Sequence, residues 1–296
     1  MRLIFLGCGY LGYNLNIRLK EKYDAEMWGI DSPYVHLLDR FTEVDAFDPD
    51  ALGKLDFRDA VLVDTVALVA NNARTSDDEE ALQEIERKYR ALLNVLKEGG
   101  LKRFIYFSSG GTIYGDSEKA IAEDAPINPI SLYARSKARV EKVIRESGVD
   151  YLILRLSNPF GGYQLTNKGQ GVIPILINKA LHDEVFEMWI SGDSVRDYFY
   201  IDDMAKVIDG LIEHDISRET INVGSGVGTS LQEVIHGVEE AVGKTIRIER
   251  KSSDVHMVQS IILDTGKLFR LIGYVPDTSI EYGIREEVKR IMEENQ

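Results

Sequence analysis

One cysteine, Cys8, stands among 296 residues, so the chain cannot form an internal disulfide, and a reducing, cytoplasmic setting is expected. The five histidines, His36, His182, His214, His236 and His256, are scattered without metal-ligand spacing, and no metal is expected. Positive charge is short as well. A net charge of −14 and the lack of a basic stripe with interleaved aromatics argue against nucleic acid as a partner. No apolar run approaches the roughly 20 residues of a membrane-spanning helix. The apolar opening, Met1 to Leu6, is broken at once by Gly7 and Gly9, so neither a membrane span nor a signal peptide is expected. Internal repeats, low-complexity segments and obvious linkers are missing too. What is present is 44% hydrophobic content, enough to bury a large core as one unit or as two coupled domains.

Arg2 to Leu6 reads as a buried strand, followed by Gly7-Cys8-Gly9-Tyr10-Leu11-Gly12 and a helical apolar pattern through Leu15 and Leu19. In that setting a GxGxxG turn lets the backbone approach a pyrophosphate while the helix N-terminus stabilises its charge. Gly7, Gly9, Tyr10, Leu11 and Gly12 are therefore expected at a dinucleotide. A second strand, Glu26 to Ile30, ends at Asp31, about 20 residues past the glycines. A carboxylate there accepts from both ribose hydroxyls and repels a 2′-phosphate, which favours NAD over NADP. Asp48 reads equally as an adenine contact or as a turn or helix-capping residue. Asp64 to Ala70 is the next expected strand, bringing Val69, Ala70 and Asn71 to the carboxyl end of a parallel sheet, where ligands collect.

From Asp77 to Lys97, Leu82, Ile85, Tyr89, Leu92, Leu93 and Leu96 recur at helical spacing, a stripe for the sheet or for a partner subunit. Then comes the stretch that organises the chain: a buried strand Phe104 to Phe107, the loop Ser108 to Asp116, and a helix start that carries Tyr133 and Lys137 four residues apart. On a helix these two are neighbours, so the ammonium can lower the phenol pKa and let Tyr133 exchange protons with a substrate hydroxyl. Composition alone supplies roughly two such Tyr-to-cation pairs by chance, and Tyr151/Arg155 is a second one. Alternating strands and helices in the first half give an α/β fold, a doubly wound parallel sheet covered on both faces. Residues 1–160 are expected to form the dinucleotide domain, with 197–225 returning to it. Residues 161–296 are expected to form mainly a smaller, substrate-binding C-terminal lobe, where Arg196, Arg247, Arg250 and Lys251 would attract an anionic ligand.

Taken together, the glycine turn, Asp31, Ser108-Ser109-Gly110-Gly111-Thr112-Ile113-Tyr114-Gly115, Tyr133-Ala134-Arg135-Ser136-Lys137, Leu154 to Gly161 and Arg196-Asp197-Tyr198 stand in one recognisable order. In that order and spacing the chain resembles the extended short-chain dehydrogenases/reductases over nearly its whole length. Within them it is most similar to the NAD-dependent epimerase/dehydratase branch that includes the UDP-glucose 4-epimerases. The resemblance implies a Rossmann-type sheet, bound NAD, a nucleotide-diphosphate sugar as substrate, and a homodimer. It implies Tyr133 as base, Lys137 as its cation and a cofactor ribose ligand, Ser108 at the cofactor, and a hydroxyl from Thr112 or Ser109 on the reacting group. Asn158, Val172, Arg196, Arg250 and Lys251 are implied at the substrate.

The chain departs from the family pattern at four places: Leu6 for a glycine, Gly110 for a serine or threonine, Lys88 for an asparagine, and Lys251 or Arg250 for an arginine near Asp254. A dehydratase would need an Asp-Glu pair where Gly111 and Thr112 stand. A keto-sugar reductase needs the same Tyr and Lys and is the main alternative to epimerisation. A dinucleotide sensor without catalysis ranks third.

Overall fold

Seven parallel strands form the central sheet of the computed structural model, which describes residues 1–30, 33–69, 78–117, 119–164, 171–252 and 258–294. In chain order the first elements are β1 (Arg2–Leu6), α1 (Tyr10–Leu19), β2 (Asp24–Gly29), β3 (Phe41–Glu43), α2 (Pro49–Leu52), β4 (Val61–Asp64) and α3 (Glu79–Glu98). Next come β5 (Arg103–Ser109), α4 (Gly110–Ile113), α5 (Leu132–Ser147), β6 (Tyr151–Leu156), β7 (Asn158–Phe160), α6 (Val172–Leu181), β8 (Val185–Met188) and β9 (Val195–Tyr200). The chain ends with α7 (Ile201–Glu213), β10 (Glu219–Val223), β11 (Gly228–Ser230), α8 (Leu231–Val242), β12 (Arg247–Arg250), β13 (Ser260–Ile261), α9 (Gly266–Ile272) and α10 (Ile280–Glu294). The sheet runs β3-β2-β1-β4-β5-β6-β10. Its order reverses between β1 and β4, and the crevice at the carboxyl ends beside such a reversal is where doubly wound sheets bind ligands.

Alternation along each strand divides the core in two. Leu3, Phe5, Val61, Val63, Ile105 and Phe107 meet α1, α7 and α9 on one face, while Ile4, Leu6, Leu62, Phe104 and Tyr106 meet α3 and α5 on the other. Both faces are covered, so the strands read as continuous apolar runs. The stripe on α3, from Leu82 to Leu96, is 0–6% exposed. It is therefore spent on its own sheet, and each fully buried side chain contributes roughly 1.5–3 kcal/mol. The outer faces of α3 and α5 are charged and laced together by Arg139–Glu86, Arg139–Glu79 and Arg90–Glu146.

One strand differs from the sequence expectation. The segment that enters the sheet at the fourth position is Val61–Asp64, not Asp64–Ala70, because Leu3 to Leu6 of β1 pair with Val61 to Asp64 while β5 closes the other side. Beyond Asp64 the chain turns: Thr65 Oγ1 donates to the Leu6 and Gly7 carbonyls at 3.0 and 2.7 Å, and Val66 N–H donates to Asp64 at 2.9 Å. Val66 and Val69 thus cover the carboxyl end of the sheet and pack on the α3/α5 core.

A third core joins α6, α8 and α10 through Ile173, Leu176, Ile177, Leu231, Val234, Ile235, Val238, Ile284 and Val288. Beside it β9 pairs with β7, β11 and β13, and β12 pairs with β8. From β9 the chain returns through α7 to β10, the last strand of the main sheet. Among the described residues no helix is long and apolar enough to cross a membrane, and no group of three His, Cys, Asp or Glu is placed to hold a metal ion.

Candidate active site

The turn after β1 is shaped by its glycines. Gly7 has φ +95°, which side-chain-bearing residues rarely adopt, and a β-carbon on Gly12 would lie 2.2 Å from the Gly7 carbonyl oxygen. Gly9 instead faces open space, with nothing within 4 Å of a β-carbon placed there. It precedes α1 with no side-chain cap, so the first N–H groups of that ten-residue helix, including those of Tyr10 and Leu11, have no intrahelical acceptor. An open glycine surface in front of uncapped N–H groups fits a pyrophosphate. Leu6, at the position of the family's extra glycine, is fully buried in the α3/α5 core. Cys8 is buried, and burial pushes its thiol up to about 11.

Across the crevice, Ser131 Oγ caps α5 by accepting from Ala134 N–H at 3.1 Å, and this start places Tyr133, Lys137 and Glu141 on one helix face. Lys137 is 7% exposed; its Nζ donates to the Phe107 carbonyl at 2.8 Å and lies 4.7 Å from the Tyr106 ring centroid and 5.7 Å from that of Tyr133. Burial pushes the Lys137 ammonium down to about 8, although the charges of Asp64 and Glu141 raise it. Tyr133 differs from expectation. Burial holds its phenol above the ordinary value, and the hydrogen bond that lowers it comes from Ser109 rather than from the lysine. The ammonium sits on the ring side of Tyr133 and spends its hydrogen bond on a carbonyl.

The loop hydroxyls are sorted by strand parity. β5 continues through Ser109, so successive serines face opposite ways. Ser109 meets Tyr133 and accepts from Thr112 Oγ1 at 2.9 Å. Ser108 donates to Glu141 at 2.6 Å in the buried layer beneath. Gly110 has a local reason: a β-carbon there would be 2.6 Å from Leu263 Cδ1 and 3.1 Å from the Arg155 carbonyl oxygen. Leu263 occupies that space, so the hydroxyl beside Tyr133 comes from the preceding residue.

Two residues that sequence reasoning passed over lie directly under this group. Asp64, 1% exposed, accepts from Tyr89 Oη at 2.8 Å and from Val66 N–H. Glu141, also 1% exposed, accepts from Ser108, from Arg155 Nε at 3.0 Å and Nη2 at 2.8 Å, and from Arg145. Arg155 Nη1 donates to Tyr114 Oη at 2.7 Å, which donates on to Asn222 Oδ1 at 2.8 Å. Glu141 stands four residues past Lys137, the same spacing that singled out Lys137, and that signal was available in the sequence.

The remaining positions fall in several places. Asn158 donates to the Asp197 carbonyl at 3.1 Å, and its amide lies 3.7 Å from a β-carbon placed on Gly111, beside the loop that carries Thr112. Arg196 is turned onto the backbone, donating to the carbonyls of Val195, Val258 and Gln259. Val172 opens α6 and packs on the third core. Arg250 and Lys251 belong with the separate β8–β12 pair, and Lys251 is held between Glu187 and Glu249. Asp48 caps α2, accepting from Asp50 and Ala51 N–H at 3.0 and 3.2 Å. Val69 lines the cleft with Tyr106, Tyr133 and Lys137. Asp31, Ala70 and Asn71 lie outside the described residues.

Comparison with known proteins identifies relatives of the chain. Escherichia coli dTDP-4-dehydro-6-deoxyglucose reductase is 32% identical over 200 residues, which are 66% of this chain and 63% of that protein. The match spans somewhat under two thirds of that relative's length. A putative UDP-glucose 4-epimerase of Methanocaldococcus jannaschii is 28% identical over 314 residues, 100% of this chain and 99% of that protein. The crystal structure of Thermus thermophilus UDP-glucose 4-epimerase in complex with NAD has the same fold, with a TM-score of 0.87 at 23% identity, 99% of each chain being covered. The model of the NAD dependent epimerase/dehydratase family matches residues 5–224. With that match running from the first strand of the sheet to just past its last, the chain belongs to the NAD-dependent epimerase/dehydratase family.

Proposed function

We propose that this protein epimerises a nucleotide-diphosphate sugar, at C4 of the sugar, with NAD held in the crevice between β1 and β4. The observation that carries the reading is the meeting of the Tyr133 and Ser109 hydroxyls at the carboxyl end of β5, with the Lys137 ammonium 5.7 Å from the Tyr133 ring centroid. The full-length likeness to the Methanocaldococcus protein supports it. Gly7, Gly9 and Gly12 with the α1 N-terminus would hold the pyrophosphate of NAD, which when bound supplies an acceptor and donor of hydride. Tyr133 exchanges the proton of the reacting sugar hydroxyl, and Ser109, held by Thr112, orients that hydroxyl and the phenol together. Lys137 keeps a positive charge beside the phenol and is fixed by the Phe107 carbonyl.

Asn158 and Val172 mark the side from which the lobe of α6, α8 and α10 would meet the nucleotide. Arg196 would reach a diphosphate by exchanging its carbonyl partners for phosphate oxygens, which accept more strongly. Arg250 and Lys251 are assigned to the rim of that lobe.

Incubation with UDP-, GDP-, dTDP- and CDP-sugars tests the reading. The expected result is an epimeric product with NAD retained through purification and no net consumption of NADH. Stoichiometric NADH consumption overturns it in favour of a keto-sugar reductase, the reading that the Escherichia coli relative supports.

The homodimer belongs to the same proposal. With the α3 stripe spent inside the chain, the interface would be the charged outer faces of α3 and α5, and it should weaken with salt. Light scattering is expected to give twice the chain mass at low ionic strength, and a monomer mass there overturns the dimer. A cytoplasmic setting is inferred from the single buried thiol.

A further inference from the structure

We propose that Asp64 is the positioning counter-charge of Lys137, a residue that touches neither sugar nor cofactor and acts by keeping the buried ammonium protonated and in place. It rests on the reading of Lys137 as the cation of the site.

The placement follows from the sheet. Asp64 is the last residue of β4 and shares the parity of Leu62, so its side chain enters the α3/α5 face, where Lys137 also lies. Its register partner on β5 is Tyr106, the ring over which the Lys137 ammonium sits at 4.7 Å. The carboxylate is fixed from two sides, by Tyr89 Oη at 2.8 Å and Val66 N–H at 2.9 Å. Beside Lys137 the cleft is lined by the apolar Val66, Val69, Ile85 and Val140. A lysine in such surroundings gives up its proton readily unless an anion stands near it.

The titratable groups facing Lys137 are Asp64 from β4, Tyr106 from β5, Tyr89 from α3, and Tyr133 and Glu141 from its own helix. Of the two carboxylates, Glu141 is already neutralised by Arg155 and Arg145. Asp64 makes no ion pair among the described residues and is left to serve the lysine. Burial raises the Asp64 carboxyl to about 6 while the charge of Lys137 pulls it down, and burial lowers Lys137 to about 8 while the charges of Asp64 and then Glu141 pull it up. Both are charged between those values.

The substitution Asp64→Asn tests this, since the amide keeps the shape and can still accept from Val66 N–H. Cyanate, which carbamylates only the neutral amine, reads Lys137 directly when the modified peptide is quantified by mass spectrometry across pH. The wild-type midpoint is expected near 8. In Asp64→Asn it should move down by about one unit, and the alkaline limb of kcat/KM should move with it. An unchanged Lys137 midpoint in a folded variant overturns the proposal. If that variant does not fold, Tyr89→Phe decides: losing the hydroxyl donor should move the acid limb upward, and an unmoved acid limb is equally fatal. Cyanate needs no turnover, so a chain inactive toward every nucleotide sugar would sink the epimerase reading and still leave the Asp64–Lys137 coupling measurable.

Discussion

Tyr133→Phe is expected to lower kcat by roughly 10²- to 10⁴-fold, the range that a positioned proton-transfer group contributes. The fold should be almost untouched, because the ring stays and only one hydroxyl, with its bond to Ser109, is removed. That loss is worth about 1 kcal/mol. Retention of the nicotinamide cofactor should also persist, since the pyrophosphate cradle is proposed on Gly7, Gly9, Gly12 and the first turn of α1, away from Tyr133. Ser109→Ala should cost less activity than Tyr133→Phe, and Thr112→Val less again, because Thr112 reaches the phenol only through Ser109. Steady-state kinetics with the thermal midpoint measured in parallel checks the order. If Tyr133→Phe keeps most of its activity, or if Thr112→Val is the more damaging of the two loop variants, the hydroxyl relay has been assigned wrongly.

That relay shows how far the sequence can be read. Strand, glycine turn and helix are local features, so the β1–turn–α1 unit is legible from Arg2 to Leu19. The pairing of Tyr133 with Lys137 is legible for the same reason: Ser131 caps the helix, and residues four apart then share a face. Tyr151 and Arg155 have the same spacing and no such relation, because they lie on β6, with Arg155 near the far end of that strand.

Other features depend on partners distant in sequence. Whether Ser108 or Ser109 faces the phenol turns on β5 running two residues past Phe107, which the sheet decides. Val61–Val63 and Val66–Val69 are equally apolar, and only pairing with β1 and β5 selects the first as strand. The upward direction of the Tyr133 shift is hidden from the sequence because spacing carries no information about burial. Leu263, 153 positions after Gly110, explains why that glycine is there.

The largest stability effect is expected at Glu141. Its carboxylate collects Ser108, Arg145 and two donors of Arg155, and both partners of the Glu141–Arg155 pair have side chains no more than 6% exposed. Glu141→Ala leaves the Arg155 guanidinium buried with only Tyr114 Oη and the Glu123 carbonyl to meet it. Breaking one side of a buried pair costs about 3–5 kcal/mol. For a chain of this size that should lower Tm by roughly 10 °C.

The sign of the pH dependence follows from the same contacts. Burial alone would raise the Glu141 carboxyl, but the Arg155 hydrogen bonds and charge, with Ser108 and Arg145, hold it below the ordinary value. Its stabilisation is therefore full above the ordinary glutamate range and is lost as pH falls through that range toward the lowered folded value. Wild type and Glu141→Ala should accordingly differ most near neutrality and converge in acid. The double variant Glu141→Leu/Arg155→Met should recover much of the loss, because a well-packed apolar pair replaces two desolvated charges. Activity should not return with it. Glu141 shares its helix face with Tyr133 and Lys137 and ties α5 to β6 through Arg155, so the same contact that holds the helix to the sheet also sets the angle at which the phenol meets Ser109. A double variant that regains Tm and full turnover would show that α5 is held in register by its apolar face alone.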